Sequence, residues 1–358
     1  MKKILIATGG SGGHVIPSLS IYDHLKEDFE IKLVTDQRGV KYINNKNYQN
    51  KLIEVPNLFS KIYLLPFNLI KFFISIIKSY IYLNKNKIDF LISMGGYISF
   101  PLSIASWLLK IKIILFEPNS VLGRTNKLMI RFSKKIICYD KNIKLFPNKH
   151  LSKIYLINPI LRKNIYSQKK NKKDSFNEIK KILIIGGSQG AKFFDDNVTK
   201  VILKISNEFR IEVCQQVYDK NQKDIIKNEY DKYEIKNRLF DFDENLFNDY
   251  HDYDLAITRA GASAISELAH LNLPFVAIPF PFAKDNHQYY NAKFYENKNL
   301  CWIMSQDSII DDSLSNKLIQ LFKQKEDYFI KKENLENISN QNTWNIVNKK
   351  LFDLINEN

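Results

Sequence analysis

Two stretches of this chain, half its length apart, read almost alike. Residues 2–13 are KKILIATGGSGG and residues 180–191 are KKILIIGGSQGA. Each is a short apolar run that ends in a glycine-rich turn and opens into a helix-like stretch. That pattern is a buried parallel strand followed by a loop whose backbone N–H groups can approach an anion at a helix N-terminus. Two such units predict an α/β chain of two Rossmann-like domains facing one another across a cleft, with a nucleotide held between them.

The 358 residues suffice for two cores of ordinary size. The net charge of +15 is a surplus that attracts polyanions: nucleic acid, an anionic membrane or phosphorylated substrates. Part of it reflects a chain rich in Lys, Asn and Ile throughout. Cys138, Cys214 and Cys301 lie far apart and match no metal or redox spacing, which fits a reducing compartment. No histidine pair has ligand spacing, so no protein-held metal is expected, and the incomplete Gly-x-Gly-x-x-Gly pattern after the first strand argues against a resident nicotinamide or flavin cofactor. The start, Met1-Lys2-Lys3 followed at once by a strand, offers too short an apolar run for a signal peptide.

Apolar runs alternate with longer amphipathic stretches. Strands are expected at Ile4–Ala7, Ile31–Thr35, Phe90–Ser93, Ile111–Phe116 and Ile136–Tyr139, then at Ile182–Ile185, Ile211–Gln215, Leu255–Thr258 and Phe275–Ile278. Strands alternating with helices imply parallel sheets of βαβ units. The polar, lysine-rich segment Arg162–Lys181 reads as a solvated connection, dividing the chain into residues 1–160 and 161–340. A last helix is expected over Thr343–Ile355, with Trp344, Val347, Leu351 and Leu354 on one face.

Between Phe67 and Tyr82, Asn68, Lys71, Ser75, Lys78 and Ser79 recur at helical spacing as one polar stripe in an otherwise apolar segment. Two mid-segment lysines argue against a spanning helix, since each costs about 2.5–3.5 kcal/mol at the bilayer centre. The segment reads either as a basic apolar helix lying on a membrane, with Lys71, Phe72, Phe73 and Lys78 among its contacts, or as a core-packing helix.

Gly9–Gly13 is followed by His14 at the loop–helix junction, where an imidazole can remove a proton from an attacking hydroxyl. A dinucleotide fingerprint fails at Val15, although Asp36 stands where a ribose contact would be made. Arg259–Glu267 (RAGASAISE) turns at Gly261 into a helix of small residues, which brings backbone close to a diphosphate, and Glu267 is suited to a ribose diol. Gln288, in the loop after the Phe275 strand, can both donate to and accept from a sugar. Gly95-Gly96-Tyr97 and Glu117-Pro118-Asn119 also follow strands and belong to the ligand-binding edge.

Taken together, GGSGGHVIP (9–17), MGGYIS (94–99), EPNSVLGRTNK (117–127), Asn158-Pro159, GGSQGA (186–191), RAGASAISE (259–267) and Lys284–Ala292 resemble the MurG-type N-acetylglucosaminyltransferases of the bacterial cell wall, glycosyltransferases of family 28 with the GT-B fold. The blocks run through most of the chain in the family's order. The resemblance implies inverting transfer of GlcNAc from UDP-GlcNAc to the MurNAc C4 hydroxyl of lipid I, giving lipid II in peptidoglycan synthesis without a protein-bound metal. It implies His14 as the base, and Ser11, Gly12 and Gly13 lining the site; the sequence itself leaves Glu117 or another cleft group as the alternative base. Asn119, Arg162 and Ser188 would contact the donor's sugar or diphosphate, and Phe242 and Asp243 the uracil through backbone. Ala262, Ser263, Ala264, Ile265 and Ser266 would cradle the diphosphate, Glu267 the ribose and Gln288 the GlcNAc hydroxyls. It further implies an acceptor-binding, membrane-side N-terminal domain, a donor-binding C-terminal domain, and a final segment, 341–358, packed back on the N-terminal domain. The protein would sit peripherally on the cytoplasmic face of the inner membrane, against anionic lipid and other cell-wall synthesis proteins.

The chain departs from the family at several positions. Phe116 and Pro118 replace a usual histidine and glutamine, and Asp243 a usual apolar residue. His287 stands where a second glutamine is common, and Asn158–Arg162 is one residue longer than the usual motif. Rival readings are a diacylglycerol glycosyltransferase, a sugar-nucleotide epimerase and a silent membrane scaffold. No motif supports nucleic-acid binding.

Overall fold

A computed structural model describes residues 1–43, 48, 50–55, 65–171, 178–187, 192–241, 243 and 245–357. The chain divides into two compact units, Met1–Lys163 with Trp344–Asn358, and Asn164–Thr343. The first is a seven-stranded parallel sheet ordered β3-β2-β1-β4-β5-β6-β7. Its strands are β1 (Lys3–Ala7), β2 (Glu30–Thr35), β3 (Asn50–Leu52), β4 (Phe90–Ser93), β5 (Lys112–Glu117), β6 (Lys135–Cys138) and β7 (Ile154–Leu156). The second is a six-stranded parallel sheet ordered β10-β9-β8-β11-β12-β13. It comprises β8 (Lys180–Ile185), β9 (Ile211–Gln216), β10 (Lys236–Phe240), β11 (Leu255–Thr258), β12 (Phe275–Ala277) and β13 (Trp302–Ile303).

The expected strands form, because an apolar run of four to six residues is what a parallel strand covered on both faces requires. Ile4, Leu5, Ile6 and Ala7 of β1 and Ile182, Leu183 and Ile184 of β8 have no exposed surface. The sequence reading missed β3, β7, β10 and β13, each at or beside a sheet edge. Paired on one side and partly exposed, such strands carry residues like Asn50, Lys51, Lys236 and Arg238 and need no apolar run.

The segment Arg162–Lys181 is not simply solvated. Residues 163–166 form a helical turn, and Asn171 is buried, donating from Nδ2 to the Tyr253 carbonyl (2.6 Å) and accepting from Lys332 (3.0 Å). Its centre, 172–177, lies outside the described residues.

The last helix runs Trp344–Asn356 and belongs to the first unit, with Val347, Leu351 and Leu354 buried. Trp344 stacks on His24 of the Gly12–Leu25 helix, ring centroids 3.5 Å apart, and His24 Nδ1 lies 3.3 Å from Asn348 Oδ1.

Burial pushes His24 down to about 4, and His270 of the second unit likewise. A histidine whose folded pKa is depressed takes up its proton first in the unfolded chain. Its contribution is therefore complete above about pH 6.5 and is lost as pH falls toward 4, by a few kcal/mol per group. Thermal melts should show Tm falling between pH 6.5 and 5, and His24→Phe, which preserves stacking on Trp344, should flatten that slope. An unchanged slope in the variant would rule His24 out as a contributor.

Candidate active site

The first glycine loop leaves the C-terminal end of β1, next to that of β4. Here the strand order reverses: β1 pairs with β2 on one side and β4 on the other. Connections diverge at such a point and leave a crevice beyond the strand ends. Gly10 has φ +80, and a side chain on Gly9 would lie 2.8 Å from the Asp36 carboxylate, so this turn requires glycine. Asp36 is not available to a ribose. Its Oδ1 accepts the amides of Gly10 (2.9 Å) and Gly39 (2.9 Å), and its Oδ2 accepts from Arg38 (2.9 Å). Burial pushes this carboxyl up, but the bonds from Gly10, Arg38 and Gly39 outweigh it and hold it below the usual range. Asp36 therefore fixes the loop.

Ser11, Gly12, Gly13 and His14 form the junction with the Gly12–Leu25 helix, and Ser11 is its N-cap. His14 Nδ1 lies 2.7 Å from the Met94 carbonyl at the end of β4. A carbonyl only accepts, so Nδ1 is the donor, and in the neutral ring the lone pair is on Nε2. Gly95, at φ +84, follows Met94, and a side chain on it would stand 3.7 Å from both His14 and Asn126. The backbone turn of the MGGYIS block thus supports the imidazole.

Glu117, at the end of β5, is buried and accepts four hydrogen bonds. They come from the Asn119 amide (3.3 Å) and side chain (3.0 Å), the Gly123 amide (2.7 Å) and Asn126 Nδ2 (3.0 Å). Both oxygens are occupied in shaping the 118–123 loop, which disfavours Glu117 as the base and makes it the residue that positions Asn119. Arg162 is half-buried and falls in the first unit.

In the second unit, Gly261 caps the Ala262–His270 helix at the end of β11. Ala262, Ser263 and Ala264 are partly exposed on its first turn, where helix N–H groups lack intrahelical partners. The next two residues turn inward. Ile265 is fully buried, and the Ser266 hydroxyl bonds the Ala262 carbonyl (2.6 Å) and lies 3.0 Å from the Tyr295 hydroxyl. Their side chains are taken up by packing and internal hydrogen bonds. Glu267 is half-exposed one turn further on.

Gln288 Oε1 accepts the amides of Ala260 (3.2 Å) and Phe280 (3.0 Å), tying the β11 and β12 loops together and leaving its –NH₂ as a donor. Arg259, which sequence reading treated only as the start of a motif, fastens the same loops. Its guanidinium donates to the Ile278 and Pro279 carbonyls (3.2 and 3.3 Å) and to Gln306 (2.8 Å), and lies over the Phe194 ring. Burial lowers it to about 10, so it stays charged at neutral pH. Gln306 and Phe194 are far away in sequence and carry no motif that reveals them.

Asp243 accepts through its side chain from Arg238 (2.5 Å) and from the Asn245 amide (2.8 Å), so its carboxylate is engaged within its own loop. Ser188 and Phe242 lie outside the described residues. At the end of β8 the Gly186 amide donates to Gln216 Oε1 (3.1 Å), and Gly187 has φ +87.

Two family models match this chain, the glycosyltransferase family 28 N-terminal domain over residues 4–138 and its C-terminal domain over residues 181–344. The chain belongs to glycosyltransferase family 28. A relative from Pelagibacter ubique, 44% identical over 100% of this chain and 99% of its own length, is the UDP-N-acetylglucosamine–N-acetylmuramyl-(pentapeptide) pyrophosphoryl-undecaprenol N-acetylglucosamine transferase. The same enzyme from Rickettsia bellii is 35% identical over 90% of this chain and 91% of its own. Crystalline MurG of Acinetobacter baumannii superposes with a TM-score of 0.78 at 24% identity, covering 99% of both chains. UDP-GlcNAc 2-epimerase from Neisseria meningitidis gives 0.67 at 13% identity, covering 99% of this chain and 100% of that one. These structural likenesses establish the two-sheet α/β fold that family 28 shares with other GT-B proteins. In this family 28 chain the matched N-terminal domain includes the His14 and Glu117 loops, and the matched C-terminal domain those of Arg259 and Gln288.

Glu117→Ala should lower stability by about 3 kcal/mol, because buried donors lose their acceptor. Activity should fall with it while the acidic limb of the pH–rate profile stays in place. Loss of that limb would make Glu117 the base and displace His14.

Proposed function

We propose that this chain transfers GlcNAc from UDP-GlcNAc to the C4 hydroxyl of MurNAc in lipid I, making lipid II. The observation that carries the chemical part is the His14–Met94 hydrogen bond, which holds the imidazole in the tautomer a general base needs. The acceptor oxygen attacks the anomeric carbon, Nε2 takes the hydroxyl proton, and the bond from that carbon to the diphosphate oxygen breaks with inversion. UDP leaves, and the charge growing on its diphosphate is stabilised by first-turn amides of the Ala262–His270 helix. Gln288 donates to a GlcNAc hydroxyl, Glu267 accepts from the ribose, and Asn119 and Arg162 contact the donor sugar or diphosphate. Ser188, with backbone of Phe242 and Asp243, completes the donor site in this reading.

The acceptor's lipid implies work at a membrane surface. Among the described residues no helix is long and apolar enough to cross a membrane. The Leu65–Lys85 helix instead turns an apolar face outward: Ile70, Phe73, Ile77 and Ile81 are each about 60% exposed and share one side. Its polar stripe is split. Asn68, Ser75 and Ser79 are buried, and the two serines bond carbonyls of their own helix (2.6 and 2.7 Å), so their burial leaves no hydroxyl unsatisfied. Phe72, expected on the membrane side, is buried against Phe100, whereas Phe73 faces out. We read the outward face, with Lys71 and Lys78 beside it, as a peripheral contact with anionic lipid on the cytoplasmic side of the inner membrane. Other cell-wall synthesis proteins are natural neighbours there.

UDP release from UDP-GlcNAc should require a short-chain lipid I analogue and yield a GlcNAc–MurNAc product. His14→Ala should lower kcat about 10²–10⁴-fold while UDP-GlcNAc binding persists; near-full turnover in that variant would overturn the base assignment. Release without acceptor would favour an epimerase-like or hydrolytic activity instead.

Ile70→Glu with Ile77→Glu should weaken co-sedimentation with phosphatidylglycerol vesicles more than about tenfold, since two apolar side chains no longer enter the acyl boundary. Undiminished sedimentation of the folded variant would remove this face from the membrane contact.

A further inference from the structure

A cavity of about 600 Å³ in the first unit has three walls of different origin. One is the Leu65–Lys85 helix, through Lys71, Ile74 and Lys78. The second is the segment after β2, where Asp36 and Arg38 stand, with Glu54 nearby, and the third is Tyr97 at the turn after β4. Tyr97 belongs to the MGGYIS block, yet the transfer chemistry gives its side chain nothing to do.

Charge indicates what the cavity accepts. Asp36 is already neutralised, its oxygens holding Gly10, Gly39 and Arg38. Lys71 and Lys78 form no ion pair among the described residues; the Lys71 ammonium lies only over the Phe67 ring, at 4.3 Å. Among the described lining residues Glu54 is the one remaining acid, so two lysines outnumber it. The result is an anion site with partly apolar walls, from Ile74 and Tyr97.

Position indicates whose anion it is. Ile74 and the lysines stand on the helix that presents Ile70, Phe73, Ile77 and Ile81 outward. The opposite wall is hydrogen-bonded through Asp36 to the glycine loop that leads into His14. The cavity therefore borders the helix that carries the apolar face, and one of its walls is bonded to the loop that carries His14. An amphiphile has that same order along its length: hydrocarbon, phosphate, then sugar.

We propose that this cavity binds the phosphate-bearing head of a membrane amphiphile, with Lys71 and Lys78 as its cationic contacts, Tyr97 as its wall and Glu54 as the residue that limits its affinity. This rests on the reading of the acceptor as lipid-linked. The phosphate has two possible sources, the acceptor's own diphosphate or a bilayer phospholipid, and the test separates them.

Calorimetry on the full chain with farnesyl diphosphate, with farnesol as the uncharged control, measures the site without requiring turnover. Wild type should bind the diphosphate and not the alcohol. Lys71→Met with Lys78→Met, which keeps the length of both stems, should weaken binding about tenfold or more, and Glu54→Gln should tighten it about threefold. If the acceptor's diphosphate is the ligand, the double variant raises KM for a short-chain lipid I analogue by a similar factor, with kcat within about twofold, and the rise persists in detergent without any bilayer. If a bilayer phosphate is the ligand, binding to phosphatidylglycerol vesicles falls and the acceptor KM stays. Unaltered farnesyl diphosphate affinity in the double variant, or weaker binding by Glu54→Gln, would overturn the proposal. Absence of turnover in wild type would overturn the transferase reading alone, because the calorimetric result is independent of it.

Discussion

The site depends on the central place of β1 and β8 in their sheets. Each has a parallel neighbour on both sides, so the connections leaving them diverge from those of β4 and β11. Strand ends at that reversal expose backbone groups that no further strand can satisfy. The glycine loops and the helices opening from them occupy these positions, and His14 and the Ala262–His270 helix begin there. A one-residue slip of β1 would invert which of its side chains face each layer and would carry the loop away from Met94.

Charged side chains that look catalytic in the sequence are largely structural. Asp36 and Glu117 each use both carboxylate oxygens on neighbouring loop donors, and Arg259 spends its guanidinium on two carbonyls and a glutamine. Gln288 does the same with its oxygen. Loops that must stay rigid while binding a flexible donor need such internal anchors, since a loop free to move would dissipate binding energy as ordering entropy. Among the described residues of these loops, His14 and Gln288 each keep one ring or amide nitrogen outside the internal bonds that fix their loops.

The Leu65–Lys85 helix reverses the usual relation between polarity and burial. Its serines face inward, where their hydroxyls return to their own backbone and their small size admits the neighbouring helix, while isoleucines face outward. A contiguous exposed apolar face of this kind marks an interaction surface more often than ordinary solvent-facing helix.

By itself the sequence determined the fold class, nine of the parallel strands, the two glycine loops and the position of His14, because apolar runs and glycine turns are local signals with a local physical cause. The resemblance carried by MGGYIS and GGSQGA was legible for the same reason. Sequence did not determine the edge strands, whose one-sided pairing requires no apolar pattern, nor which helix residues would be buried between Asn68 and Tyr82. Nor did it separate Asp36 as an anchor from Asp36 as a ribose ligand, or Ser266 in the core from Ser263 on the first turn. Those choices rest on groups that meet from distant parts of the chain, and only the tertiary structure brings Gly10 to Asp36, 26 residues away, and His14 to Met94, 80 residues away.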